Sequence, residues 1–205
     1  RFGTLMGILA IAPSTRIELT PFVSSDMTFS NSTDPLNPLQ NSHSWGNNAG
    51  LDMKMGLGPN LTLDATINPD FGQVEADPAT VNLSAYEVYY DELRPFFTEG
   101  SRLLEGRGPY YYYSRRIGAP PRLVPDAPYS ARTENSTILG AAKLSGRLQS
   151  GLSIGALTAL TAREFVDSWD PATGIRSEEE IAPLSGYGAV RIQQEFGSAG
   201  SSAGM

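Results

Sequence analysis

Along residues 49–57 apolar and polar positions alternate: Ala49, Leu51, Met53, Met55 and Leu57 share one parity, and Gly50, Asp52, Lys54 and Gly56 the other. The next run repeats the pattern, with Leu61, Leu63, Ala65 and Ile67 set against Thr62, Asp64 and Thr66. A strand sends successive side chains to opposite faces, so a period of two predicts β structure. Gly58-Pro59-Asn60 joins the two runs as a hairpin turn. A second pair, 137–147 and 152–163, places Ile138, Gly140, Ala142 and Leu144 on one face, and Leu152, Ile154, Ala156 and Leu160 on one face of its return. Further strands are expected over 15–23, 110–116 and 187–196. Pro21 has no amide hydrogen for a ladder, which marks an edge or a bulge in the first of these.

The connections sort by length. Turns 58–60 and 148–151 are short, whereas 24–48, 68–110, 117–136 and 164–186 read as long polar loops. Within the second loop, Ser84-Ala85-Tyr86-Glu87 has capping-box spacing and Arg94-Pro95 offers a stop, so one short helix is expected over 85–93. Short turns at one end and long loops at the other is the arrangement of outer-membrane barrels. A tilted strand needs about 9–11 residues to cross a bilayer, and runs 49–57, 137–147, 152–163 and 187–196 meet that length. The expected fold is therefore all-β: antiparallel, up-and-down strands of a partial outer-membrane-type β-barrel, with one short helix in a long loop. Residues 1–205 are read as an internal fragment of such a barrel domain. A soluble sandwich also alternates, so periodicity alone leaves that architecture open.

Composition narrows the function classes. The net charge of −7 argues against a nucleic-acid partner, which calls for a basic patch. Without cysteine there is no disulfide framework and no thiolate metal site. The longest apolar run, Leu5 to Ala12, is far short of the roughly 20 residues of a helical span. Gly 21 and Pro 15 suit a turn-rich β protein.

The stretch Asn68-Pro69-Asp70-Phe71-Gly72-Gln73-Val74-Glu75-Ala76-Asp77-Pro78 runs on through Val81-Asn82-Leu83-Ser84 to Arg94-Pro95-Phe96-Phe97-Thr98-Glu99-Gly100. With Tyr113-Ser114-Arg115-Arg116-Ile117-Gly118, it resembles an uncharacterised family of bacterial envelope proteins. In that family a carbohydrate-binding-like β-sandwich of family nine precedes a large C-terminal β-barrel region. The resemblance covers most of residues 1–197 and departs at Tyr90-Asp91-Glu92-Leu93, where the family usually has a Phe-Pro-Glu-Lys type of turn. It implies an outer-membrane location in the bacterial cell envelope. The carbohydrate-binding-like domain is absent from these residues, so its ligand positions do not carry over.

Candidate sites concentrate in 68–116. Asp70, Glu75 and Asp77 are hard oxygen donors of the kind Ca²⁺ takes, but they lack the D-x-D-x-D-G spacing of an EF-hand loop. The expectation is a hydrogen-bonded loop in which Asp70, Glu75, Asp77 and Glu87 meet Arg94, Arg115 or Arg116 inside the barrel lumen or across one end. As neighbours on an expected strand, Arg115 and Arg116 would point to opposite faces. Glu87, Asp91, Glu92 and Glu99 contain enough carboxylates for a glycosidase pair, whose separation in space sequence does not set. Phe96, Phe97, Tyr110, Tyr111, Tyr112 and Tyr113 would form an interfacial aromatic belt or stack on sugar rings. His43 is the single histidine, and no G-x-S-x-G motif accompanies it, so a serine triad is rejected. No catalytic residue, metal or cofactor is assigned. The expected role is non-catalytic: a barrel segment in transport, reception or structure, whose partners are the lipid bilayer and the remaining strands of the barrel. An envelope protein that binds or processes carbohydrate is the alternative.

Overall fold

The computed structural model describes residues 16–29, 34, 36–40, 43–70, 89–105, 111–131, 133, 135–196 and 201–205. Ten strands are present among them: β1 (Ile17–Phe29), β2 (His43–Leu57), β3 (Leu61–Ile67), β4 (Tyr129–Ser130), β5 (Ile138–Arg147), β6 (Leu152–Thr161), β7 (Glu164–Asp170), β8 (Ile175–Ala182), β9 (Ser185–Phe196) and β10 (Ser201–Gly204). Seven form one sheet in the order β1-β2-β3-β5-β6-β9-β10, with every neighbouring pair antiparallel. The remaining three form a small sheet in the order β4-β7-β8. The fold is thus all-β and antiparallel, and its main sheet is an up-and-down meander, open between edge strands β1 and β10 among the described residues.

Register places the short turns together. Leu61 faces Gly146 across the β3–β5 pair, and the Arg147 amide donates to the Asn60 carbonyl at 3.2 Å, joining turns 58–60 and 148–151 at one end. The Glu195 amide reaches the Gly151 carbonyl at 3.1 Å, so β9 finishes at that same end. The β1–β2, β3–β5 and β6–β9 connections all leave from the opposite end.

Alternation gives the main sheet two unlike faces. One carries cross-strand rows such as Ile17, Met55, Leu63, Leu144, Ala156 and Val190, each residue directly opposite the next. None of these six is buried, and Val190 is 68% exposed. The other face is polar along β1–β3 apart from Phe22, and the segment containing α1 (Pro95–Thr98) and 111–119 lies over it. There Phe97, Leu104 and Ile117 bury themselves against Ile138, Ala141, Leu157 and Ala159, the apolar patch of β5 and β6. The main hydrophobic cluster therefore sits between the main sheet and this covering segment, and Val166 and Ile181 are buried in the small sheet.

Four sequence expectations change. Residues 24–29 and 43–48, read as loop, extend β1 and β2. Their outward positions Met27, Phe29 and Trp45 keep the alternation going past the polar pair Ser25 and Asn47. Loop 164–186 is largely the β7–β8 hairpin. Its polar strands are held by hydrogen bonds such as Ser168 Oγ to Glu179 Oε1 at 2.7 Å, which leave little hydrophobic pattern to read. The helix is not found at 89–93, while 85–88 lie outside the described residues. The helix α1 (Pro95–Thr98) instead starts at the proline taken for a stop, because proline is well suited to a first helical turn, where its missing N–H is not needed. Finally, 111–113 are irregular and Ser114–Arg116 form a 3₁₀ turn, so the strand expected there is not found among the described residues, and in the main sheet β3 pairs directly with β5.

Candidate functional site: a charge ladder under a covering segment

The polar face of the sheet carries a single row of alternating charge. Glu18 lies opposite Lys54, Lys54 opposite Asp64, and Asp64 opposite Lys143. Opposite charges directly across strands stabilise a sheet and fix its register. Lys54 Nζ is 3.9 Å from Asp64 Oδ1, and Lys143 Nζ is 3.7 Å from Asp64 Oδ2. The next position in the row is Leu157, where the polar half of the face gives way to the apolar patch.

This ladder holds the covering segment down. The Lys143 side chain, 1% exposed, donates to the backbone carbonyls of Phe96 and Glu99 at the end of α1. Those carbonyls have no partner within so short a helix, and a cation at a helix C-terminus is favoured in any case. The Lys143 ammonium also lies 4.9 Å from the centre of the Phe96 ring. Lys54 forms an ion pair with Glu99. Further along, the Leu103 carbonyl presses onto β6 at Gly155, where a Cβ would lie only 2.5 Å from it. Glycine is required there because the backbone of the covering segment approaches the sheet so closely. A cleft of about 210 Å³ remains between α1 and the sheet, lined by Glu18, Asp52, Lys54, Asp64, Glu99 and Lys143 among others.

The covering segment has its own knot. Glu92 and Arg94 pair in fork geometry, Nε to Oε1 at 2.8 Å and Nη2 to Oε2 at 2.7 Å, with both side chains 13% exposed. Arg94 also donates to the carbonyls of Ile117 at 2.7 Å and Ser114 at 2.9 Å, and stacks 4.2 Å over the Phe97 ring. Ser114 Oγ donates to Glu92 at 2.5 Å. Burial acts most strongly on the Glu92 carboxyl and pushes its pKa up, but the hydrogen bonds from Arg94 and Ser114 and the charge of Arg94 outweigh it. The carboxyl ends below the usual carboxylate range. A carboxylate so supplied with donors is poorly suited to give up a proton as a general acid. Burial also drives Tyr112 up to about 12, helped by the negative charge of Glu92. Its Oη is buried without a hydrogen-bond partner among the described residues.

The other sequence-derived candidates fall as follows. Glu75, Asp77, Glu87 and Tyr110 lie outside the described residues. Asp70 accepts a hydrogen bond from Ser24 of β1. Arg115 donates from Nε to the Asp91 carbonyl at 2.8 Å and lies 5.8 Å from the Tyr90 ring centre. Arg115 and Arg116 share a 3₁₀ turn, so the opposite-face argument for a strand does not apply to them. Phe97 is buried and Phe96 packs against the core, both on the covered side of the sheet. Tyr113 is held through its Oη, which accepts from the Tyr90 amide at 3.0 Å. Tyr111 is 87% exposed. Glu99 is committed to Lys54. Among the described residues no three His, Cys, Asp or Glu side chains gather to hold a metal ion. Lys54, Asp64 and Lys143 were not singled out from sequence. The β2–β3 hairpin register alone would have paired the first two.

These features describe an antiparallel meander whose partly covered face carries the charge ladder on β1–β3 and β5 and an apolar patch on β5 and β6, and whose other face carries an apolar row that is not buried. A family model for a domain of unknown function, DUF5916, matches residues 13–203, and the chain belongs to this family. Membership agrees with the expectation of an uncharacterised family. No curated protein and no solved structure matches this chain. Among the described residues no helix is long and apolar enough to cross a membrane, which says nothing of a crossing by strands.

Proposed function

We propose that the seven-stranded meander is part of an outer-membrane β-barrel in the bacterial envelope. In this reading its apolar face meets lipid and its polar face meets the lumen, which the covering segment narrows as a plug. The role is transport, reception or structure rather than catalysis. One observation carries the reading: the apolar row from Ile17 through Met55, Leu63, Leu144 and Ala156 to Val190 crosses six strands, and none of its residues is buried. A water-soluble sheet ordinarily turns such a face into a core. The dimensions agree. From Leu57 to Ala49 the outward positions of β2 span eight residue steps, about 27 Å along the strand at ~3.4 Å each. At a tilt of about 40° that is roughly 20 Å of height, close to the ~25 Å apolar band of such barrels. Short turns at one end and long connections at the other add to it.

Val190→Arg tests the reading. A solvated Val190 would tolerate the change with a stability effect within about ±0.5 kcal/mol. A lipid-facing one loses about 2–4 kcal/mol if it sits near the bilayer midplane. The expected result is an unmodified protein that sediments with membranes and shows heat-modifiable gel mobility, and a variant that fails to acquire it. A monodisperse protein in plain buffer, unaffected by the substitution, would overturn the proposal.

A further inference from the structure

The β1–β2 ribbon rises beyond the rest of the main sheet. The last β2–β3 pair is Leu51 opposite Ile67, so among the described residues 43–50 of β2 pair only with β1. One side of this projection is polar: Ser24, Asp26 and Thr28 with Ser44, Gly46 and Asn48. The other continues the apolar face, with Met27 directly opposite Trp45 and Phe29 opposite His43. Phe29 is 76% exposed, Trp45 67% and Met27 51%. A two-stranded ribbon is marginal in water by itself, and these three side chains gain nothing from being held out into solvent. The indole is nonetheless ordered: Trp45 Nε1 donates to Ser25 Oγ at 2.7 Å and to Asn47 Oδ1 at 3.0 Å. Those two polar residues separate Trp45 and Met27 from the unbroken apolar band below, which ends at Val23 and Ala49.

We infer that the Trp45, Met27 and Phe29 side of this ribbon seats in the headgroup layer of the bilayer. The ribbon would thus mark the membrane boundary at the long-connection end. The inference rests on the bilayer reading and adds a depth to it. Met53 lies midway along the apolar band of β2, and Trp45 is eight residue steps beyond it, about 27 Å along the strand. At a tilt of about 40° this is roughly 20 Å from the midplane. The hydrocarbon ends about 15 Å from the midplane and the headgroup layer at about 20–22 Å. A ring with an apolar body and an engaged polar N–H suits that layer. Phe96, Phe97, Tyr112 and Tyr113, considered for such a belt from sequence, belong instead to the covering segment on the other face.

Tryptophan fluorescence tests the depth, since the chain has 2 tryptophans, Trp45 and Trp169. The Trp169→Phe protein, folded into phosphatidylcholine vesicles, reports Trp45 alone. Lipids brominated near the headgroup or near the acyl terminus are compared as quenchers. The triple variant Trp45→Phe, Trp169→Phe, Leu63→Trp supplies a reference within the apolar band. The expected result is stronger loss of Trp45 emission with the shallow bromines, and stronger loss for the Leu63→Trp reporter with the deep ones. A deeply quenched reporter with Trp45 quenched by aqueous iodide and by neither lipid would overturn the ribbon assignment and leave the bilayer reading intact. Trp45 quenched most by the deep bromines would also overturn it. A reporter untouched by either lipid would overturn both.

Discussion

Lys143→Met isolates what holds the covering segment to the sheet. The substitution keeps a long apolar stem and removes the ammonium. Two carbonyls at the end of α1, those of Phe96 and Glu99, lose their donor, and Asp64, whose side chain is 10% exposed, loses a cation 3.7 Å away. Leaving a buried polar group without a partner costs about 1–3 kcal/mol. Breaking a buried ion pair on one side costs about 3–5 kcal/mol. These do not add, and Lys54, 3.9 Å from Asp64 on its other side, offsets part of the loss. A net of about 3 kcal/mol is expected, which raises the detached population of the covering segment on the order of a hundredfold. Hydrogen exchange on the folded protein reads this directly: amides of 95–104 should lose protection while those of β5 and β6 keep theirs. Adding Asp64→Asn removes the stranded charge and should recover about 1–2 kcal/mol of the loss. Protection at 95–104 unchanged within about 0.5 kcal/mol would refute the latch. A double variant no better than Lys143→Met would refute the Asp64 part of it.

Three further outcomes follow from the same geometry. Gly155→Ala places a Cβ 2.5 Å from the Leu103 carbonyl oxygen and 2.7 Å from its carbon, so the covering segment must shift, at about 1–3 kcal/mol, and limited proteolysis should cut faster near 101–105. The Glu92 carboxyl is depressed in the folded protein, so its contribution is complete above the unfolded value near 4.5 and fades as pH falls through the lower folded one. Glu92→Gln should therefore flatten the acid limb of a stability–pH curve, and an unchanged limb would contradict the pairing. Tyr112 is raised to about 12 from 10.0, so its contribution is complete below pH 10 and is lost as pH climbs towards 12. Tyr112→Phe should remove that alkaline loss, together with one late-titrating phenol in the tyrosinate absorbance.

The strands over 49–57, 61–67, 137–147, 152–163 and 187–196 were legible because alternation is local. Seven or more residues of one period, closed by a turn such as Gly58-Pro59-Asn60, specify a hairpin with no knowledge of the rest. The placement of the two short turns at one end followed from those same lengths. The β7–β8 hairpin was missed because hydrogen bonds among Ser168, Ser177 and Glu179 hold it, and polar residues leave no hydrophobic period. Its turn signal lay in Asp170 to Gly174, where Asp170 accepts from the Ala172 amide at 2.9 Å and Gly174 adopts a φ of +69°. The helix was displaced because a proline reads equally as the end of one helix or the first residue of another.

The candidate site divides in the same way. Lys54 facing Asp64 is hairpin register and was implicit in the sequence. Asp64 facing Lys143 requires β3 to pair with β5 across the intervening 68–137, and nothing local sets that partner. Glu92 and Arg94 are two residues apart, but the partners that complete their hydrogen bonding, Ser114 and Ile117, arrive from the far side of the covering segment. Alternation determined which residues of each strand share a face, since a period of two is a property of each strand by itself. Only the tertiary structure decided which polar residues meet and that the aromatic segment lies over the face carrying Asp64, Lys143 and the apolar patch. Long-range pairing and close approach, such as Leu103 onto Gly155, depend on where the whole chain returns in space.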